Sequence, residues 1–279
     1  MSRFSSAFER TRREGRAALM PYITAGDPSL EWTERLIDAL FEAGADMIEL
    51  GVPYSDPLAD GPTVQAAGQR ALAAGTTIAG IFDLIRKVRQ RRDEPIALLV
   101  YYNCIFRWGE ERFVAEAARS GVDGLIVPDL PPESAGTLDA VTSSRGVDLV
   151  YLVAPTSTPE RIRLIAGRGR GFLYCVSLTG VTGAREQLSD ELAPFLVRVR
   201  EEIAAVGKDL PLAVGFGIST PQHAATVAQL ADGVIVGSAL IDRFHRPPTP
   251  EEGLAECAAF IREIRSALAP GERAPLSGR

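Results

Sequence analysis

Lysine is almost missing from this chain of 279 residues: Lys87 and Lys208 are the only two, and the other 28 of the 30 basic residues are arginine. Lys87 falls inside a helical pattern. Lys208 precedes the seventh expected strand, at the end away from any strand terminus that could host chemistry. A Schiff-base lysine at a strand end is therefore excluded. Histidine is as scarce. His223 and His245 are not spaced as metal ligands, there is no G-x-S-x-G, and neither histidine is placed as the base of a triad. The three cysteines, Cys104, Cys175 and Cys257, are odd in number and far apart, and read as free thiols in a reducing compartment. No apolar run reaches the ~18 residues of a membrane span, and the N-terminus has no signal-peptide core. A cytoplasmic location is expected. The net charge of −6 argues against nucleic acid or an anionic membrane as a partner. Neither metal nor cofactor is expected, and what remains is acid–base chemistry by carboxylates.

Hydrophobic residues make up 46% of the chain, which suits a well-filled core. They fall in a repeating unit. Ala43-Gly-Ala-Asp-Met-Ile-Glu-Leu50, Ser120-Gly-Val-Asp-Gly-Leu-Ile-Val127 and Arg145-Gly-Val-Asp-Leu-Val-Tyr-Leu152 share one form, and Leu230-Ala-Asp-Gly-Val-Ile-Val236 is a looser copy. Each is a helix end, a small-residue turn, an Asp and an apolar strand. Apolar strands alternating with amphipathic helices indicate a parallel sheet covered on both faces. Eight strands are expected, at 18–24, 46–51, 96–101, 122–127, 148–153, 171–176, 211–215 and 232–236. Helices are expected near 31–43, 64–73, 78–92, 110–119, 132–144, 158–167, 189–206, 220–229 and 251–268. The count fits a single-domain α/β chain, a (β/α)8 TIM barrel over residues 1–279. An extra helix occupies 1–14 in this reading, and a frayed tail follows from 270. A doubly wound open sheet is the alternative, weakened because no G-x-G-x-x-G follows the first strand.

Chemistry in such barrels sits at the C-terminal strand ends. Glu49 lies near the end of the second strand, on the same face as Met47 and Gly51. An acid in an apolar strand is costly to bury unless it is paired or used. Pairing with one of the many arginines is the plain alternative. The Pro- and Gly-rich loop that follows carries Asp56 and Asp60. Either could simply shape the turn, and Asp56-Pro57 reads as structure or partner contact.

Three glycine-rich loops follow strands six, seven and eight: Gly180-Val-Thr-Gly183, Gly215-Phe-Gly-Ile-Ser219 and Gly237-Ser-Ala239. Glycine admits an anion close to backbone N–H groups. Thr220-Pro221 and Ser238 each open a helix in this reading, and helix N-termini attract phosphate. Loops in these positions commonly build a phosphate site in this fold. The competing reading is that the glycines only make tight turns. No lysine lies in these loops, so backbone N–H groups would hold most of the phosphate.

Pro21-Tyr-Ile-Thr-Ala-Gly-Asp-Pro28, Glu49-Leu-Gly-Val-Pro-Tyr-Ser-Asp-Pro-Leu-Ala-Asp-Gly-Pro62, Val181-Thr-Gly183, Val214-Gly-Phe-Gly-Ile-Ser219 and Gly237-Ser-Ala239 together resemble the tryptophan synthase α chain family, from about Phe8 to Phe244. The resemblance implies cleavage of indole-3-glycerol phosphate to indole and glyceraldehyde 3-phosphate, and a β-chain partner in an α2β2 assembly. It implies that Glu49 is the acid–base residue and that Asp60 meets the indole N–H. It implies backbone phosphate binding at Gly183, Gly215, Phe216, Gly217, Gly237 and Ser238, and a pocket lined by Tyr22, Leu99, Ile126, Tyr174, Phe216 and Ile235. Two positions depart from the family pattern. Cys104 stands where many relatives have Pro, in a loop that the resemblance turns toward the partner. Leu178 stands where some carry Arg. Two other functions fit the same residues: an activating subunit with little turnover, or another phosphate-binding barrel such as an isomerase or prenylglyceryl phosphate synthase.

Overall fold

The computed structural model describes residues 2–176, 191–215 and 217–268. Eight parallel strands close a barrel in chain order: β1 (Ala18–Thr24), β2 (Ile48–Gly51), β3 (Ile96–Leu99), β4 (Gly124–Ile126), β5 (Asp148–Val153), β6 (Leu173–Val176), β7 (Leu212–Gly215) and β8 (Gly233–Val236). β8 returns to β1 with Ala18 opposite Gly233 and Pro21 opposite Val236. The (β/α)8 expectation is met, and the open sheet is excluded by that closure. The helices are α1 (Arg3–Arg13), α2 (Leu30–Glu42), α3 (Pro62–Ala73), α4 (Ile78–Val88), α5 (Tyr102–Trp108), α6 (Glu110–Ser120), α7 (Gly136–Ser144), α8 (Pro159–Arg168), α9 (Leu192–Ala205), α10 (Pro221–Ala228), α11 (Ser238–His245) and α12 (Pro250–Ala267). None among the described residues is long and apolar enough to cross a membrane.

Two apolar cores result. One lies between sheet and helices. The other fills the barrel with Met20, Met47, Ile126, Val150 and Ile235, above a plug of Phe4, Phe8 and Phe172. Phe4 meets Phe172 edge-on at 5.5 Å, so α1 is the stopper at the N-terminal end. β4 leaves room for it: a Cβ at Gly124 would lie 2.7 Å from the Phe4 ring.

Several strands start later than the alternation predicts. The repeated Asp residues explain this. Asp46, Asp123 and Asp232 each precede a strand and accept the N–H of the strand before: Leu19 at 2.9 Å, Ile96 at 2.8 Å and Leu212 at 3.0 Å. Each also carries arginines, Arg16 and Arg10 on Asp46, Arg89 and Arg3 on Asp123, Arg200 on Asp232. Each Asp also donates its own backbone N–H to the carbonyl of the residue whose N–H it accepts, at 2.9, 3.0 and 2.9 Å, so side chain and backbone together open each strand. β3 ends at Leu99, two residues short of expectation, because Tyr101 is the N-cap of α5. The Tyr101 side chain makes no capping bond to that helix; Asp129, beyond β4, accepts the Tyr102 N–H at 2.9 Å.

Candidate active site

Period-two alternation turns Glu49 and Gly51 of β2 into the barrel, with Tyr22 of β1 opposite Glu49 in register. Leu99, Ile126, Tyr174 and Ile235 face the same interior from β3, β4, β6 and β8. Two glycines make room for the aromatic residues. A Cβ at Gly51 would fall 2.2 Å from the Tyr22 hydroxyl, and one at Gly215 would fall 2.3 Å from the Tyr174 hydroxyl. Tyr22 and Tyr174 can therefore lie across the mouth only beside these strand ends.

Glu49 is 1% exposed. Burial pushes its carboxyl up to about 8, and the nearby charge of Asp60 adds to the effect; the Tyr174 hydroxyl, donating to Glu49, pulls the other way. Oε2 of Glu49 has no hydrogen-bond partner among the described residues, and no arginine or lysine there pairs with it. The structural ion pair left open by the sequence is thus absent from the described residues. Glu49 is an acid that keeps its proton at neutral pH, with one oxygen uncommitted.

Asp60 sits in the loop between β2 and α3, half-buried. Burial raises its carboxyl above the usual range, and a hydrogen bond from Tyr101 partly offsets this. Tyr101 also accepts the Ala59 N–H at 3.0 Å and stacks on Tyr54, with ring centroids 5.0 Å apart. Asn103 Nδ2 donates to the Tyr54 hydroxyl at 3.2 Å. Tyr101 and Tyr54 therefore hold the acidic loop, a role the sequence reading missed. The signal was present: Ala97, Leu99 and Tyr101 continue one inward alternation past the strand end. Asp56, by contrast, is exposed and accepts only the Ser55 hydroxyl among the described contacts.

Two strands around the barrel from β2, after β8, α11 begins at Ser238 with no side chain capping it. Its first N–H groups lack intrahelical acceptors, as at any helix start. A Cβ at Gly237 would lie 3.4 Å from Tyr22, so this N-terminus borders the pocket. Gly217 has a φ of +76°, a turn that favours glycine. Thr220 caps α10 by accepting the His223 N–H. Gly183, Phe216 and Leu178 lie outside the described residues.

A closed barrel with a neutral buried acid, a second acid and an open helix start at its C-terminal mouth defines a (β/α)8 barrel enzyme. A family model described as tryptophan synthase alpha chain matches residues 8–269. The chain is 47% identical over 273 residues to the tryptophan synthase alpha chain of Geobacter sp. (strain M21), covering 98% of this chain and all of that one. It is 49% identical to that of Geobacter sulfurreducens, over 96% of this chain and 99% of the relative. Among solved structures, the Legionella pneumophila alpha chain superposes with a TM-score of 0.84 at 37% identity, covering 96% of this chain and 97% of that one. A Mycobacterium tuberculosis tryptophan synthase chain gives 0.85 at 36%, with 97% and 99% covered. The chain belongs to the tryptophan synthase alpha chain family. It is a carbon–carbon lyase that cleaves indole-3-glycerol phosphate to indole and glyceraldehyde 3-phosphate, and the family implies a β-chain partner.

Proposed function

We propose that Glu49 is the acid–base residue of this cleavage and Asp60 its electrostatic partner. The observation that carries the proposal is the neutral, fully buried Glu49 carboxyl with Oε2 uncommitted. Protonating the indole ring at C3 creates an electron sink in the substrate itself. The bond from C3 to the glycerol side chain then breaks as the neighbouring hydroxyl loses its proton, releasing indole and the aldehyde. Glu49 delivers the first proton and its carboxylate accepts the second, so it ends as it began. Asp60 faces the positive charge that develops toward the indole nitrogen. Tyr22, Leu99, Ile126, Tyr174, Phe216 and Ile235 line the indole pocket. Backbone N–H groups at Gly183, Gly215, Phe216, Gly217, Gly237 and Ser238 hold the phosphate, aided by the α11 dipole. Glu49→Gln keeps the shape and removes the transferable proton. Indole release should fall by about 10²–10⁴-fold, the scale of general acid–base catalysis. Turnover within a few-fold of the parent enzyme overturns the assignment.

The α2β2 arrangement, a cytoplasmic location and one barrel domain across 1–279 belong to the same proposal. Free Cys104, Cys175 and Cys257 support a reducing compartment. Among the described large apolar side chains that are exposed, the two most exposed are Leu58 at 89% and Phe106 at 66%. Both stand at the mouth, in the β2–α3 loop and α5. Their place beside the loop that carries Asp60 supports β-chain docking there.

A further inference from the structure

Asp27 plays no part in the chemistry above, yet its side chain is only 5% exposed and fully engaged. It follows β1. Its Oδ1 accepts Arg70 Nε at 2.8 Å, and its Oδ2 accepts Arg70 Nη2 at 2.8 Å and His245 Nε2 at 2.9 Å. Arg70 belongs to α3, the helix that begins two residues after Asp60. Gln65 of the same helix donates to the Asp60 carbonyl at 2.8 Å. His245 is the last residue of α11, whose first turn borders the pocket at Gly237 and Ser238. Asp242 of α11 adds its field to Arg70. One buried carboxylate thus joins the helix behind the acidic loop to the helix behind the phosphate loop.

We propose that Asp27, Arg70 and His245 form a positioning clamp that fixes the separation between the indole end and the phosphate end of the active site. The proposal rests on the reading that α11 receives the phosphate. A ligand that spans both ends gains affinity from two subsites only while their spacing matches its length. A ligand that touches one end does not sense the spacing. Arg70 and His245 are partly exposed, at 41% and 29% of their side chains, and the one buried core ring that His245 meets among the described contacts is Phe244, edge-on at 5.2 Å. Losing its N–H leaves the buried Asp27 with one partner in place of two.

The test is calorimetric binding to the full chain of two ligands, indole-3-propanol phosphate, which spans the site, and glycerol 3-phosphate, which occupies one end. His245→Ala should weaken the spanning ligand about tenfold and glycerol 3-phosphate by less than about twofold. His245→Gln restores an N–H donor at nearly the same place and should return both ligands to within about twofold of the parent. Equal weakening of both ligands, no weakening of either, or failure of Gln to rescue overturns the clamp. A parent chain that binds neither ligand overturns instead the reading of α11 on which the clamp rests.

Discussion

Glu49 has a measurable consequence beyond catalysis. Its carboxyl is pushed from the ordinary value near 4.5 up to about 8 by burial first and by Asp60 second. Below about pH 4.5 the proton is held in both folded and unfolded chains. Between there and pH 8 the unfolded chain ionises while the folded chain does not, so stability falls as pH rises, and levels off above 8. Gln cannot ionise. Glu49→Gln should therefore raise the unfolding free energy at pH 7, by up to about 3 kcal/mol, with the gain shrinking toward zero at pH 4.5. Urea unfolding of both chains across that range checks it. A gain independent of pH would mean that packing, not ionisation, distinguishes the two residues. Activity and stability oppose each other at this position, as expected where a buried acid is kept for function.

At the scale of elements, the three stapling aspartates make the N-terminal end of the barrel a set of small ionic joints. Asp46 is the fullest. Besides the Leu19 N–H it accepts Arg16 at 2.6 and 2.7 Å and Arg10 of α1 at 2.8 Å. Burial disfavours its charge, but these donors outweigh that and hold its carboxyl below the usual range. Asp46→Asn leaves the buried Arg16 with Glu14, at 2.6 Å, as its remaining carboxylate and should cost about 1.5–3 kcal/mol at neutral pH. Because the folded carboxyl is depressed, its contribution is present above the unfolded value near 4 and is lost as pH falls through the lower folded value. The gap between parent and variant in urea unfolding should close accordingly. A gap that persists at low pH would assign the effect to shape alone. These joints also mark how far sequence could be read. The Asp-led repeat marked four strands, the apolar runs along the chain gave the count of eight, and alternation put Glu49 on one face with Met47 and Gly51, because burial on both sides leaves near-continuous apolar runs. The repeat did not reveal that Asp46, Asp123 and Asp232 stand outside their strands while Asp148 begins its own, since their partners lie on neighbouring elements. For the same reason α5 was missed: its cap, Asp129, is 27 residues from the N–H it accepts. α7 begins four residues later than expected because turns at Ser134 and Ala135 use the carbonyls of Pro131 and Pro132. Local signals were legible, whereas caps, staples and the Asp27 joint depend on contacts between segments distant in sequence.

The whole molecule divides its duties between two ends. The N-terminal end is closed by α1, whose Phe4 and Phe8 plug the barrel and whose Arg3 and Arg10 reach Asp123 and Asp46. The C-terminal end carries the acids, the open start of α11 and the two most exposed large apolar side chains. Those side chains are not isolated from the chemistry. The segment of Leu58 and Asp60 is tied to the segment of Phe106 by Tyr101 accepting the Ala59 N–H, by the Tyr54–Tyr101 stack and by the Asn103–Tyr54 bond. A partner seated on Phe106 would thus bear on the loop that places Asp60, and could speed a reaction whose residues it never touches. Binding energy spent on that loop would appear as a faster chemical step rather than as tighter substrate binding. Phe106 itself lies outside the pocket, on the outer side of α5. Phe106→Asp should therefore leave indole release by the chain alone within about twofold, while cutting the increase caused by an added β chain about tenfold or more, since a desolvated charge at the centre of an interface is strongly disfavoured. Indole release from indole-3-glycerol phosphate, with and without β chain, reads both quantities. An unchanged increase would move the partner surface away from the mouth, and a large loss in the isolated chain would place Phe106 within the catalytic loop system instead.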